Sequence, residues 1–163
     1  MSTEAGWETE LADYLNDLSS AQDELLEVLR RKLRLLATAD REGLHAIGEL
    51  EQALGQRLQG CYHRRCEMLE RAQRVGLPSD SLQALSGALP GKQRRQLEAR
   101  VAEAAGKTRL LQHQSLTNWV VTQRSLLHLS HLLEIIATGG KLCPTYGREE
   151  SSPTGGALLD RAV

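Results

Sequence analysis

The chain contains no phenylalanine, and only 3% of its residues are aromatic. β-Sandwiches and α/β enzymes draw heavily on aromatic and β-branched residues, so this scarcity argues against both. Charge of one sign is missing too: 20 Lys and Arg stand against 21 Asp and Glu, a net of −1. No global field therefore draws the chain to nucleic acid or an anionic membrane. No stretch approaches the roughly 18 consecutive apolar residues of a membrane span. Met1 to Glu10 is acidic and has no apolar centre, so it does not read as a secretory signal. Cysteine is confined to Cys61, Cys66 and Cys143. Cys61 and Cys66 fall on different faces of a helix, and an odd count without framework spacing fits reduced thiols in the cytoplasm.

What remains is Leu, Ala, Gln, Glu and Arg, all good helix formers. A length of 163 residues suits one domain, and 40% apolar content suffices for a modest core. The four prolines fall at Pro78, Pro90, Pro144 and Pro153. Proline costs about 3 kcal/mol inside a helix, so the regions around them read as a linker and a tail.

The first helical segment runs from about Glu4 to Thr38. Its seam (Trp7, Leu11, Tyr14, Leu18, Ala21, Leu25, Val28, Leu35, Ala39) alternates steps of four and three, a heptad pattern broken only by Lys32. Leu15, Leu29 and Leu36 widen the stripe on one flank and Leu26 and Leu33 on the other, enough to face more than one helix. Asp40 is the expected N-cap of a second segment reaching Val75. One of its rows is apolar (Ile47, Leu54, Cys61, Met68, Val75) and its partner is mixed (Leu44, Glu51, Leu58, Arg65, Ala72). Gly43, Gly48, Gly55 and Gly60 either permit close helix approach or leave the stretch marginal. Gly76 marks a C-cap, and Ser79, Asp80 and Ser81 can cap a short helix ending near Leu89. A third long segment spans about Lys92 to Thr138, with a seam of Leu97, Val101, Ala104, Thr108, Leu111, Ser115, Trp119, Thr122, Leu126, Leu129, Leu133 and Ile136. The steps 111–115–119 imply a stutter. Gly139 and Gly140 end it, and 141–163 reads as a flexible Gly/Pro/Ser-rich tail.

Few constellations invite chemistry. Glu42-x-x-His45 has the spacing of a helical di-metal site, but the required second copy and facing glutamates are missing. His128-x-x-His131 shares a helix face without Cys or carboxylates to complete a zinc set. Both pairs read as polar surface. Neither a phosphate-cradling loop nor a nucleophile elbow is present. The short basic runs Arg30–Lys32, Arg64–Arg65 and Lys92–Arg95 read as solvated faces. The chain is therefore expected to be no enzyme, to need no cofactor and to bind no metal.

One feature exceeds what a three-helix monomer can bury. Val120, Val121, Leu127, Leu132 and Ile135 point away from the third segment's seam. Surplus apolar helix surface marks a partner site, filled by another protein or by a second copy in a homodimer.

The order of features resembles the FlgN family of flagellar export chaperones. Leu35-Leu36-Ala37-Thr38-Ala39-Asp40-Arg41-Glu42-Gly43-Leu44 is similar to that family's helix break, and Arg74-Val75-Gly76-Leu77 to its next helix end. A short Ser81–Leu85 element follows, then a long helix with Gln114-x-x-x-Asn118 and a Leu-rich end, then Thr145-Tyr146-Gly147. The resemblance covers about residues 10–150. The helix-two glycines, and Arg148-Glu149-Glu150 after Tyr-Gly, depart from the pattern. The resemblance implies a cytoplasmic chaperone that binds the C-terminal helical segments of hook-associated proteins, keeps them unassembled and delivers them to the export apparatus. It places substrate contacts at Leu126, Leu127, Leu129, Leu133, Ile136 and Tyr146. Together these readings predict an all-α, elongated antiparallel three-helix coiled coil with a short extra helix over 1–140, and a flexible tail over 141–163. The alternative is a structural or adaptor coiled coil that homodimerises through its third long helix.

Overall fold

A computed structural model describes residues 2–89 and 93–139, with side chains from Gly6 onward. The described residues form four helices and no strand: α1 (Ser2–Ala37), α2 (Arg41–Arg74), α3 (Leu82–Ala88) and α4 (Arg94–Thr138). The all-α expectation holds, with three long helices and one short one. The tail expected over 141–163 lies outside the described residues.

The helix ends follow from local chemistry. The Asp40 carboxylate accepts the Gly43 N–H at 2.9 Å and caps α2. A Cβ at Gly43 would sit 2.6 Å from that carboxylate and 2.7 Å from the Leu35 side chain, so a larger residue there would displace the capping carboxylate and the Leu35 methyl. Gly48, Gly55 and Gly60 face open space instead, so they do not serve close helix approach. Ser81 Oγ accepts the Ala84 N–H at 3.1 Å and caps α3. Gly76, at φ +76°, turns the chain out of α2, and the Leu77 N–H reaches back to the Ala72 carbonyl at 2.9 Å. Val75 is the C-cap and is exposed, so it does not extend the α2 seam as its spacing suggested.

Ion pairs fix the helix directions. Arg71 pairs with Glu10, Arg57 with Asp17 and Glu24, and Lys32 with Glu51 at 2.7 Å. Numbers rise along α1 as they fall along α2, so the two are antiparallel. Lys32 and Glu51 are the polar interruptions of their respective seams, and they meet each other. α4 runs parallel to α1. Arg100 donates to the Ala12 carbonyl and to Asn16 Oδ1 at 3.3 and 2.6 Å, and Lys107 donates to Ser19 Oγ and Asp23 at 2.7 and 2.8 Å. The second pair repeats the first one heptad later on both helices. α4 is thus antiparallel to α2, an up-down-up arrangement.

The chain divides into two compact units, 1–121 and 122–163. The first unit's main core joins Trp7, Leu11, Tyr14 and Leu15 of α1 to Cys61, Met68 and Ala72 of α2 and to Leu97, Val101 and Ala104 of α4. Leu82, Leu85 and Leu89, in and beside α3, close it. A smaller cluster joins Leu26 and Leu29 to Leu111. Burying each such Leu contributes about 1.5–3 kcal/mol.

The α1–α4 seam keeps a strict heptad and does not stutter. Leu97, Ala104, Leu111 and Asn118, each seven residues after the last, are all buried, while Ser115 and Trp119 are exposed. Facing them, Leu15 and Leu29 flank Gln22, which fills the intervening heptad position. Gln22 Nε2 donates to the Ala104 carbonyl and to Thr108 Oγ1, both at 3.0 Å. Asn118 Nδ2 donates to the Leu29 carbonyl at 3.1 Å. Burial pushes the Tyr14 hydroxyl up to about 12, with Cys61 adding to the effect. Burial also raises the Cys61 thiol, whose Sγ lies 3.8 Å from Asp17 Oδ2.

Candidate functional site

The second unit is described over 122–139, the last turns of α4 and the glycine that ends them. Leu126, Leu129, Leu133 and Ile136 follow one another at steps of three and four, which places them on one helical face. Their exposures are 53, 54, 66 and 76%. Leu132 lies beside this stripe on one edge. Leu127, also expected as a contact residue, is exposed beyond the other edge. Ile135 is exposed farther around the helix. Of the six residues the sequence singled out, five are therefore on the surface, four of them on one face. Tyr146 lies outside the described residues.

The polar residues interleaved with the stripe do not interrupt it. Ser130 Oγ donates to the Leu126 carbonyl at 3.0 Å, and Thr138 Oγ1 donates to the Glu134 carbonyl at 2.8 Å. Both hydroxyls are satisfied by their own helix, a habit of Ser and Thr in helices. Helix formation in this segment uses all of these side chains without burying the leucines. Soluble monomers rarely expose contiguous apolar patches of more than a few hundred Å². The arrangement can therefore bind an apolar helical surface.

The other candidates are bland in structure. Glu42 and His45 are exposed near the start of α2, and His128 and His131 are exposed on α4. Among the described residues no group of three or more His, Cys, Asp or Glu could hold a metal ion. A surface groove of about 570 Å³ is lined by Glu10, Arg64, Glu67, Glu70, Arg71 and Arg74. Its acids and bases alternate and partly neutralise one another, as in the Arg71–Glu10 and Arg74–Glu70 pairs. No helix among the described residues is long and apolar enough to cross a membrane.

Several residues that the spacing placed in the seams are exposed, among them Val75 of α2 and Ser115, Trp119, Leu126, Leu129, Leu133 and Ile136 of α4. Trp119 was assigned to the seam through the stutter, yet it is 60% exposed and Asn118 takes the core position. The missing signal was the unbroken sevenfold spacing of 97, 104, 111 and 118, which hydrophobicity alone hides because its last member is polar.

No curated protein and no solved structure matches the chain. A family model described as FlgN protein matches residues 1–154. With nearly the whole sequence aligned to that family, and an all-helical fold carrying an uncovered apolar stripe, the chain belongs to the FlgN family of flagellar export chaperones.

Proposed function

We propose that this chaperone acts in the cytoplasm on hook-associated proteins, holding their C-terminal helical segments unassembled until it delivers them to the export apparatus. The observation that carries this reading is the row of exposed Leu and Ile over 126–136. An assembly-prone amphipathic helix needs an apolar surface to shelter it, and helix-in-groove recognition uses anchors at this spacing. Leu126, Leu127, Leu129, Leu133 and Ile136 make the contact, joined by Tyr146. Residues 1–140 form the holding domain and 141–163 an accessory tail. The work is binding and release, with no catalytic step and no cofactor. A chaperone must let go, so the affinity stays moderate; ordering costs on both sides offset part of the apolar gain.

Isothermal titration of the full chain with purified C-terminal segments of hook-associated proteins tests this. A saturable complex is expected, and Leu129→Glu with Leu133→Glu should abolish it while leaving the helical circular dichroism and melting temperature unchanged. Absence of a complex with every such segment overturns the reading. The second reading has the same observation behind it, because a self-made dimer would also cover the stripe. If the free chain sediments as a dimer, and the double variant is a folded monomer that still binds its partners, the stripe is a homodimer seam.

A further inference from the structure

We infer that the client closes the α4 stripe with two helices rather than one. The inference rests on the client reading above and adds the form of the bound segment.

The spacing of α4 carries the argument. In the first unit the α4 rows running through Leu97, Ala104, Leu111 and Asn118, and through Val101, are closed by two helices. α1 contributes the Gln22 amide donor and the Leu29 carbonyl that accepts from Asn118, and α2 contributes Cys61, Met68 and Ala72 to the shared core. Counted along the sequence, the same sevenfold spacing goes on past residue 121. The first row continues through Ser125 and Leu132, and the second through Thr122, Leu129 and Ile136. Leu126 and Leu133, seven apart, add a third row, and Leu127 lies beyond it.

One partner helix covers two rows, the seam of a two-stranded coiled coil. Here three rows are exposed together, from Leu132 through Ile136, Leu129 and Leu133 to Leu126, an arc of roughly 120° at about 100° per residue. The opposite edges, Leu132 and Leu127, are too far apart around the helix for one partner helix to cover both. A pair of helices solves this: one seats on Leu129, Leu132 and Ile136, the other on Leu126, Leu127 and Leu133. The partner chemistry follows: two amphipathic stretches joined by a turn, with few charges on their apolar faces, because Arg124 and Glu134 are the only full charges between 122 and 138.

Two single substitutions at opposite edges test the count. Full-length Leu132→Glu and Leu127→Glu are titrated against the C-terminal segment of a hook-associated protein, and hydrogen exchange is followed on that segment in the wild-type complex. Each variant should bind at least about tenfold more weakly, since each places a charge where a Leu was to be buried. The bound segment should show two protected stretches separated by an exchanging connection. If either variant binds as the wild type does, or if protection forms one unbroken stretch, a single helix is bound and the inference falls. A wild-type chain that captures no segment overturns the client reading itself. Both positions are more than 40% exposed. Unchanged melting of each variant therefore separates loss of binding from loss of fold.

Discussion

Two stretches of α4 invert the usual relation between hydrophobicity and burial. Between Leu97 and Asn118 the seam includes Ala104, Thr108 and a carboxamide, yet Ala104 and Asn118 are buried. Between Thr122 and Thr138 the helix is dominated by Leu and Ile, yet every Leu and Ile there is exposed. Burial here reports the supply of partners within the chain rather than apolar content. The first stretch needs little apolar bulk because α1 and α2 already provide Leu11, Leu15 and Met68. The second has apolar bulk that the described fold does not use, as suits a member of a chaperone family.

The sharpest way to break this contrast is to shorten one leucine in each stretch. Leu97 is 2% exposed and Leu133 is 66% exposed. Leu97→Ala should cost about 2–5 kcal/mol in urea denaturation, the transfer loss plus a cavity. Leu133→Ala should stay within about 0.5 kcal/mol and should instead weaken client binding. Equal destabilisation by the two would mean that the second stretch is buried in solution and that the contrast is false.

Alkaline pH acts on the bundle through Tyr14. The Tyr14 hydroxyl is held up at about 12, against an ordinary value of 10.0, chiefly by burial. Its folded-state value is raised, so the neutral form's contribution is complete below pH 10 and is lost as pH rises toward 12. The raised Cys61 thiol acts in the same direction. The melting temperature should fall by on the order of 5–10 °C across that window. Tyr14→Phe should flatten the fall. A Tyr14→Phe profile identical to that of the wild type would show that the tyrosine is not the group responsible.

The polar seam position gives a smaller effect. Gln22 Oε1 has no hydrogen-bond partner, and the Ala104 carbonyl also accepts from Thr108 Oγ1 at 3.0 Å. Gln22→Leu keeps the volume and removes a half-satisfied amide, so stability should rise by up to about 1 kcal/mol at unchanged m-value. A loss of that size would show that the amide is a net holder of the α1–α4 register.

The same residues show how far the sequence could be read. Asp40, Gly76 and Ser81 announced their caps because each carries a specific backbone requirement, and the helix bounds follow from them within two residues or so. The α1 and α2 seams were legible because their core positions are mostly apolar. The reading failed where a core position is polar: Gln22 was skipped in the Leu15–Leu29–Leu36 row, and Asn118 was displaced by its neighbour Trp119. Periodicity in hydrophobicity cannot register an amide that is buried because it bonds across to another helix's backbone. The pairing of Lys32 with Glu51 was hidden for a related reason, since it needs both seams aligned before either interruption makes sense. A surplus was visible, because counting apolar rows against available helices requires no contact to be known, but it was placed on Val120, Val121, Leu127, Leu132 and Ile135, whereas the seam residues Leu126, Leu129, Leu133 and Ile136 are exposed as well and Val120 and Val121 are half-buried.

The last and smallest effect tests whether the two units act separately. α1 ends in a turn whose left-handed residue is Ala39, at φ +53°. The Asp40 N–H bonds the Leu35 carbonyl at 3.0 Å and the Ala39 N–H bonds that of Leu36 at 3.3 Å, the same closure that Gly76 makes at the end of α2. Alanine in this conformation brings its Cβ against the carbonyl, and glycine does not. Ala39→Gly should therefore stabilise the α1–α2 hairpin by about 0.5–1 kcal/mol, offset in part by the freer unfolded chain. The substitution lies in the first unit, so client affinity should not move beyond about twofold if the stripe is an autonomous surface. A parallel rise in stability and affinity would instead couple the hairpin to the stripe. The contrast between the two stretches of α4 would then describe one cooperative structure rather than a scaffold and a separate binding surface.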